Sequence, residues 1–405
     1  MKKRIILVDP ITGGHNAFYL TLLTRSFIKK GAQVDIISGD KDETQLFLEK
    51  YISDSISGTK VIELNITKKD IKLPVGRLNQ LATVSYIWYK TFRRIQRLER
   101  KYDIKYDMVF IAWLEFYIKY FTTNIYVNKY LPRIIKFLTH RPWSGIYFHP
   151  RYLRRPEKYP MLERDGTSVS RLFTETGCRM LFTLDEGIRD KLAKDLEPVP
   201  VRWLPDIPLT WRCDYDWPVL DNIKQQAGDK LTILLTGVLN RFKGVEEFIE
   251  LATKPEFKEY FFVLAGRLNI DRLSAEVRKK IKSRAIPNLY VYPEFIPTEE
   301  QMNALIATSD MIYLHYKKFT HSSSLQVKAA KLETPAIVIN DHLIRERAEE
   351  WGGSLILDHT SELTPQKLEK LLETEYKRDT KLESFNFQQF SQKIGRVVSS
   401  QKDEK

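Results

Sequence analysis

LTILLTGVLNRFKG, residues Leu231–Gly244, is an apolar run that ends at one glycine and reaches a second glycine just after a lysine. Beyond it, Val245, Phe248, Ile249 and Ala252 keep the i, i+3, i+4, i+7 spacing of one helix face. A buried strand, a glycine turn and a helix in succession is how α/β domains hold phosphate. The backbone approaches the anion closely, and the first N–H groups of the helix point at it. Arg241 and Lys243 add two cations to the turn. The turn is then either a phosphate site, with Gly237, Arg241 and Lys243 as its candidate residues, or a surface turn with two solvated cations.

The same pattern recurs on both sides. Downstream, strands are expected at Thr232–Thr236, Tyr260–Leu264, Leu289–Tyr292, Met311–His315 and Ala336–Ile339, with helices between, such as Thr298–Thr308. Upstream, Ile5–Val8 is followed by the turn Thr12-Gly13-Gly14-His15 and a helix with Tyr19, Leu22, Leu23 and Phe27 on one face. Gly31 ends that helix, Ala32–Ser38 follows as a strand, and further strands are expected at Met108–Trp113, Gly145–Phe148 and Met180–Leu184. The prediction is an α/β chain of two doubly wound, Rossmann-like domains facing a cleft. Residues 1–205 form the N-terminal domain and 231–385 the C-terminal one. Residues 206–230, rich in Pro, Asp and Trp without a clean period, read as the linker, and 386–405 as a closing helix and tail. The charged stretch after Lys370 is expected to be helical to about Ser400.

The totals agree with two domains: 405 residues, 43% of them hydrophobic. Cys178 and Cys213 make neither a disulfide framework nor a zinc pattern, which points to a reducing, cytoplasmic setting. The apolar run in MKKRIILVDP stops at Asp9, too short for a signal peptide, and no window reaches the roughly 20 apolar residues that span a bilayer. The net charge of +13 is uneven: residues 1–205 hold 36 Lys and Arg against 22 Asp and Glu, whereas residues 206–405 hold 29 against 30. The basic half suits an acidic partner or a solubilising surface.

Three more features stand out. His321-Ser322-Ser323-Ser324-Leu325 follows one expected strand and opens a helix. Its serines either cap the free N–H groups or leave room for a phosphate on them. His149 ends the run Gly145–Phe148, at the C-terminal end of a parallel strand, where ligand-contacting residues collect, though a lone histidine also fits a structural role. Val84–Ile104 mixes Tyr86, Trp88, Tyr89 and Phe92 with Arg93, Arg94, Arg97, Arg100 and Lys101, which suits a membrane surface or a helix with a buried aromatic face.

These pieces together resemble the GT-B glycosyltransferases, specifically the retaining, family-4-like group, over nearly the whole chain. Gly13-Gly14-His15 resembles that group's donor-and-acceptor loop, and IYFHP (Ile146–Pro150) its segment with the active-site histidine. LFTLDEGIRDKL (Leu181–Leu192) resembles its strand–serine–helix segment, with Asp185 where serine is common, and VRWLPDIP (Val201–Pro208) the strand before the linker. GVLNRFKG, the stretch Pro293–Tyr316 and the stretch Val327–Asn340 resemble the diphosphate turn and the elements around the donor helix. The resemblance implies transfer of a sugar from a nucleotide diphosphate donor with retention, without a metal or other cofactor. Arg241 and Lys243 would then neutralise the diphosphate; Ser322, Ser323, Ser324 and Leu325 would supply hydroxyls and N–H groups to the distal phosphate; Lys328 would lie in the donor site; and His149 would contact the donor sugar.

The chain departs from the group at the paired glutamates of the donor site. Thr320 and Lys328 stand there, and an ammonium cannot accept hydrogen bonds from a ribose diol. Glu333 replaces the glycine usual before Thr334-Pro335, and Val238 the arginine often found after the first glycine of the turn. The expected function is a cytoplasmic glycosyltransferase of polysaccharide biosynthesis, hexosyltransferase in type. Its partners are a nucleotide sugar and a glycan, lipid-linked or anionic acceptor. The basic half suits peripheral contact with an anionic inner-membrane face, and no specific nucleic acid is expected. The missing glutamates motivate an alternative: a non-catalytic, glycosyltransferase-like partner of an active transferase.

Overall fold

A computed structural model of the chain describes residues 2–10, 15–64, 76–163, 167–282, 286–317, 319–378 and 380–398, with the backbone alone for His15, Asn16, Glu163, Arg241, Arg272 and Lys282. Gly13 and Gly14 lie outside the described residues. The chain divides into two compact units, Met1–Pro205 with Asn386–Lys405, and Asp206–Phe385.

The first unit contains β1 (Arg4–Asp9), α1 (His15–Lys29), β2 (Gln33–Ser38), α2 (Lys41–Ile52), β3 (Val61–Glu63), α3 (Arg77–Tyr102), β4 (Met108–Ile111), α4 (Ile125–Leu138), β5 (Trp143–Ile146), β6 (Cys178–Thr183), α5 (Arg189–Asp195) and β7 (Val201–Trp203). The strands form one parallel sheet in the order β3-β2-β1-β4-β5-β6-β7. A parallel sheet needs helices over both faces, so its strands are apolar throughout rather than alternating. Ile5, Ile6, Leu7 and Val8 of β1 are accordingly all buried, as are Met108, Val109, Phe110 and Ile111 of β4. Strand order reverses between β1 and β4, and ligands of such sheets bind beyond the C-terminal strand ends near that reversal.

The second unit contains α6 (Pro218–Ala227), β8 (Leu231–Thr236), α7 (Val245–Thr253), β9 (Tyr260–Ala265), α8 (Ala275–Lys282), β10 (Leu289–Tyr292), α9 (Glu299–Ala307), β11 (Met311–Leu314), α10 (Ser324–Lys331), β12 (Ala336–Ile339), α11 (His342–Trp351), β13 (Ser354–Leu357) and α12 (Pro365–Leu372). Its parallel sheet runs β10-β9-β8-β11-β12-β13, reversing between β8 and β11. Alternate residues of β8 serve its two faces: Ile233 and Leu235 pack with Phe248 and Ile249 of α7, and Leu234 packs with Phe261 and Ala329. The predicted fold class, two doubly wound α/β sheets, is the one observed.

Two parts of the outline differ. Residues 206–230, expected as a linker, belong to the second unit and contain α6. Pro218 opens that helix, and Trp217, Ile223 and Ala227 join the core around Leu234. The stretch after Lys370 is not one helix. After α12 the chain returns along α11: Gly353 N–H donates to Glu375 O, and Lys377 N–H donates to Trp351 O. A last helix, α13 (Phe387–Gly395), then packs in the first unit, where the Arg25 guanidinium lies 4.2 Å from the Phe387 ring and Lys393 Nζ lies 3.6 Å from the Trp203 ring.

Candidate functional site

The glycine turn is built on two glycines set back to back. Gly237 ends β8 with φ +98°, and Gly266 ends β9 with φ +139°. A Cβ on Gly266 would lie 2.1 Å from Gly237 O, so nothing larger fits. One helical turn, Arg241–Lys243, leads to Gly244, which caps α7 at φ +73° and brings the backbone against His315 O.

Lys243 is the cation that this geometry singles out. Its Nζ lies 3.8 Å from the centre of the Tyr316 ring and pairs with no carboxylate of the described residues. Burial without a counter-ion pushes the ammonium down to about 7. Tyr316 is itself fully buried. Arg241 opens the same helical turn.

The serine turn lies beside the glycine turn: a Cβ on Gly237 would touch Leu325 Cδ1 at 3.4 Å. The three serines have different roles. Ser322 Oγ donates to Asp206 Oδ2 at 2.7 Å and accepts from Arg347 Nη1 at 2.8 Å, so its hydroxyl is committed to a network inside the unit. Ser323 is the N-cap of α10, accepting from Gln326 N–H. Ser324 is half-buried, and its hydroxyl has no hydrogen bond among the described residues. It opens α10 together with Leu325, where backbone N–H groups have no acceptor within the helix. Capping and an open anion cradle therefore coexist, on different serines.

Lys328 has another partner than the one expected. It is buried in α10, and its Nζ lies 2.6 Å from Glu299 Oε2 at the start of α9. An ammonium held by a carboxylate at that distance is neutralised, so its charge is not available to a donor phosphate. Glu333 lies past the C-terminal end of α10 with φ +58°. It is therefore at the far end of the helix from Ser323 and does not replace the missing carboxylate.

In the first unit, His149 stands just beyond β5, near the reversal of strand order. Its backbone N–H donates to Glu115 Oε1, and its Nδ1 lies 3.7 Å from the same oxygen. Glu115 comes from the turn Leu114–Phe116 after β4. Burial pushes its carboxyl up to about 8. Phe148 stacks on Trp113 at 4.2 Å and meets the edge of Tyr19 at 4.9 Å. Glu115 was not anticipated. Its signal was available as a single acid inside the apolar run Ile111–Ile118, at the end of an expected strand. Asp185, where serine was expected, binds Arg154 through two hydrogen bonds of 2.8 and 2.5 Å. His15 begins α1.

Of the two readings of the aromatic helix, the buried aromatic face is the one observed. Trp88 and Phe92 of α3 are core residues, with Trp88 Nε1 donating to Tyr117 O at 3.0 Å. Tyr89 and Tyr102 of α3 are exposed, and further exposed aromatics lie on α4, where Tyr126, Tyr130 and the nine-tenths exposed Phe137 interleave with Lys129, Arg133 and Lys136. No helix of the described residues is long and apolar enough to cross a membrane.

The sequence matches no protein-family model and no curated protein. Solved structures with the same fold run the length of the chain. Sucrose-phosphate synthase from Thermosynechococcus elongatus is 12% identical, with 98% of each chain covered and a TM-score of 0.60. HepE from Anabaena in complex with UDP-glucose is 12% identical, covering 98% of this chain and 99% of that one, with a TM-score of 0.58. UDP-GlcNAc 2-epimerase from Methanocaldococcus jannaschii, solved with UDP-GlcNAc and UDP, is 15% identical, covering 98% and 99%, with a TM-score of 0.52. The fold, two doubly wound α/β sheets in one chain, is the GT-B fold.

Proposed function

We propose that the chain is a glycosyltransferase whose second unit holds a nucleotide diphosphate sugar. One observation carries the reading: a half-buried lysine, Lys243, with no carboxylate partner among the described residues, beside an open helix start at Ser324 and Leu325 and a glycine-lined backbone at Gly237. A diphosphate leaving group gains charge as the sugar departs. A preformed cation and free N–H groups stabilise that charge more than they stabilise the bound donor. Arg241, in the same turn, is the second cation of the proposal. The GT-B fold supports the reading, since two of the solved structures above hold UDP or a UDP-sugar. The acceptor is a glycan, lipid-linked or otherwise anionic, taken by the basic first unit. The cations and exposed aromatics of α4 suit peripheral contact with an anionic membrane face.

A thermal-shift panel of UDP-, GDP- and dTDP-sugars, followed by transfer assays, tests this. A donor at 100 times its Kd stabilises the protein by about 2.7 kcal/mol. One donor should raise Tm in the parent and not in Lys243→Ala. No shift with any donor, together with no turnover, overturns the reading.

A second reading has its own observation. Lys328, locked on Glu299, occupies the place where the resemblance expects a ribose-binding carboxylate. That favours a non-catalytic partner of an active transferase. Stable co-purification with a transferase, and no donor turnover by the chain alone, distinguish it.

A further inference from the structure

The first unit has a cavity that the proposed function leaves unused. It measures about 680 Å³ and is lined by the three turns that lead into β5, β6 and β7, residues 139–142, 174–177 and 198–200. It therefore lies at the N-terminal ends of these strands, opposite the C-terminal ends beyond which ligands of such sheets bind. Its volume is that of a small-molecule site, typically about 300–1,000 Å³. Its charges are unbalanced. Lys136 in the last turn of α4, His140, Arg141 and Arg179 of β6 line it, against one carboxylate, Glu175. His140 Nε2 and Arg141 Nε lie on Glu99 at 2.9 and 2.8 Å, and Arg171 Nε lies on Glu175 at 2.9 Å. The Arg171 hydrogen bond holds Glu175 below the usual carboxylate range, and Lys136 and Arg133 add to this without forming an ion pair. Lys136 and Arg179 are left with no carboxylate partner among the described residues. Lys136 also suits the carbonyl end of α4. Arg179 belongs to a strand, which has little dipole of its own.

Two cations without a carboxylate, one of them a guanidinium fork, fit an oxyanion of matching charge. A phosphate monoester carries roughly −1.5 to −2 at neutral pH and offers three acceptor oxygens. The phosphate fills only part of the cavity, and the organic group it is esterified to has the rest. We propose that this cavity binds a phosphomonoester, with Arg179 and Lys136 holding the phosphate oxygens. The proposal is built from first-unit residues alone and does not depend on the transferase reading. Phe137, next to Lys136, is nine-tenths exposed, and Tyr126 and Tyr130 are exposed on the same helix. The monoester has two sources: a small molecule in solution, or the headgroup of an anionic lipid whose interface also takes these aromatics.

The test uses the full chain and two probes that share one head: sn-glycerol 3-phosphate in solution, and phosphatidylcholine vesicles with and without phosphatidic acid. His140 lines the cavity, so its ring signals, assigned with His140→Gln, report occupancy by NMR. At constant pH and ionic strength, glycerol 3-phosphate should shift them saturably. Lys136→Ala with Arg179→Ala should need at least about tenfold more ligand, since two charge-assisted contacts are lost. Both side chains are exposed, so an unchanged Tm should show that the fold stands. Lys41→Ala with Lys50→Ala removes the same charge from α2, beside β2 and β3 at the other end of the sheet, and should bind as the parent does. So should Lys243→Ala, which separates this cavity from the glycine turn of the second unit. A lipid source is shown by pelleting that depends on phosphatidic acid, is lost in the cavity double variant, and is lost in Phe137→Ser, which still binds glycerol 3-phosphate. A soluble source is shown by glycerol 3-phosphate binding without pelleting. Neither a saturable shift nor such pelleting, or no greater loss in the cavity double variant than in the α2 double variant, overturns the proposal.

Discussion

Lys243 and Lys328 lie in one unit, in the turn before α7 and on α10, the two elements that Gly237 and Leu325 bring together. Lys328 is held by Glu299 at 2.6 Å, whereas Lys243 rests on the face of Tyr316 and has no carboxylate partner among the described residues. A desolvated cation with a counter-ion is part of the scaffold. One without a counter-ion is held at a cost in stability, and an arriving anion recovers it. The difference separates binding from support better than residue type does, since both positions read as donor-site lysines in the sequence.

The largest expected effect falls on the uncompensated lysine. Lys243→Ala should weaken nucleotide diphosphate binding by about 100- to 1000-fold, measured by calorimetry, because a desolvated charge-assisted contact is worth roughly 3–4 kcal/mol. The pH dependence follows the same logic. The Lys243 ammonium is pushed down to about 7 from the ordinary 10.5, so between those values the folded state binds fewer protons than the unfolded state. Stability should therefore rise with pH across that window, and nucleotide binding should fall as the ammonium neutralises. Lys243→Met should flatten the stability rise. If it leaves both profiles unchanged, the contrast between the two lysines is broken.

The turn that carries Lys243 gives the next effect. Gly266→Ala would place a methyl 2.1 Å from Gly237 O, at a φ that side chains rarely adopt. Chemical denaturation should show a loss of about 2–4 kcal/mol, with nucleotide binding weakened in the folded fraction. A neutral result would mean that the back-to-back glycines do not set the turn.

Much of this was readable in the chain, and the part that was not has a common physical cause. The strands predicted around β1, β2, β4, β8, β9, β10, β11 and β12 are apolar runs bounded by turn residues, so local pattern was enough. β3 has three residues, too brief to show a period, and β13 (Ser354–Leu357) was not anticipated either. Glu115 and His149 meet because β4 and β5 are neighbours in the sheet, although 33 residues of chain lie between them. The network that takes Ser322 out of play joins Asp206 and Arg347, residues from opposite ends of the second unit. Pairings of this kind are tertiary, and no spacing rule announces them.

The compensated lysine is expected to fail in the opposite way from Lys243. Lys328→Met leaves Glu299 without its cation, partly reached by water at 22% side-chain exposure. A loss of roughly 1–3 kcal/mol in unfolding free energy is expected, below that of a fully buried broken pair. Nucleotide affinity of the folded protein should stay within about twofold, a change of roughly 0.4 kcal/mol. Adding Glu299→Gln should recover part of the stability. A tenfold loss of nucleotide affinity in Lys328→Met would return this lysine to the donor site.

The smallest effect tests the far end of the same helix. Glu333 adopts φ +58° just past α10, a conformation that glycine takes without strain and that other residues adopt at roughly 1 kcal/mol. Glycine gives back part of that gain by loosening the unfolded chain. Glu333→Gly should therefore stabilise the protein by about 0.5 kcal/mol in urea unfolding. Because Glu333 is at the opposite end of α10 from Ser323 and Leu325, nucleotide affinity should not change. If affinity falls with the carboxylate removed, Glu333 reaches the nucleotide after all. The ribose partner missing from position 328 would then come from the helix C-terminus, and the division between a binding turn and a supporting helix would have to be redrawn.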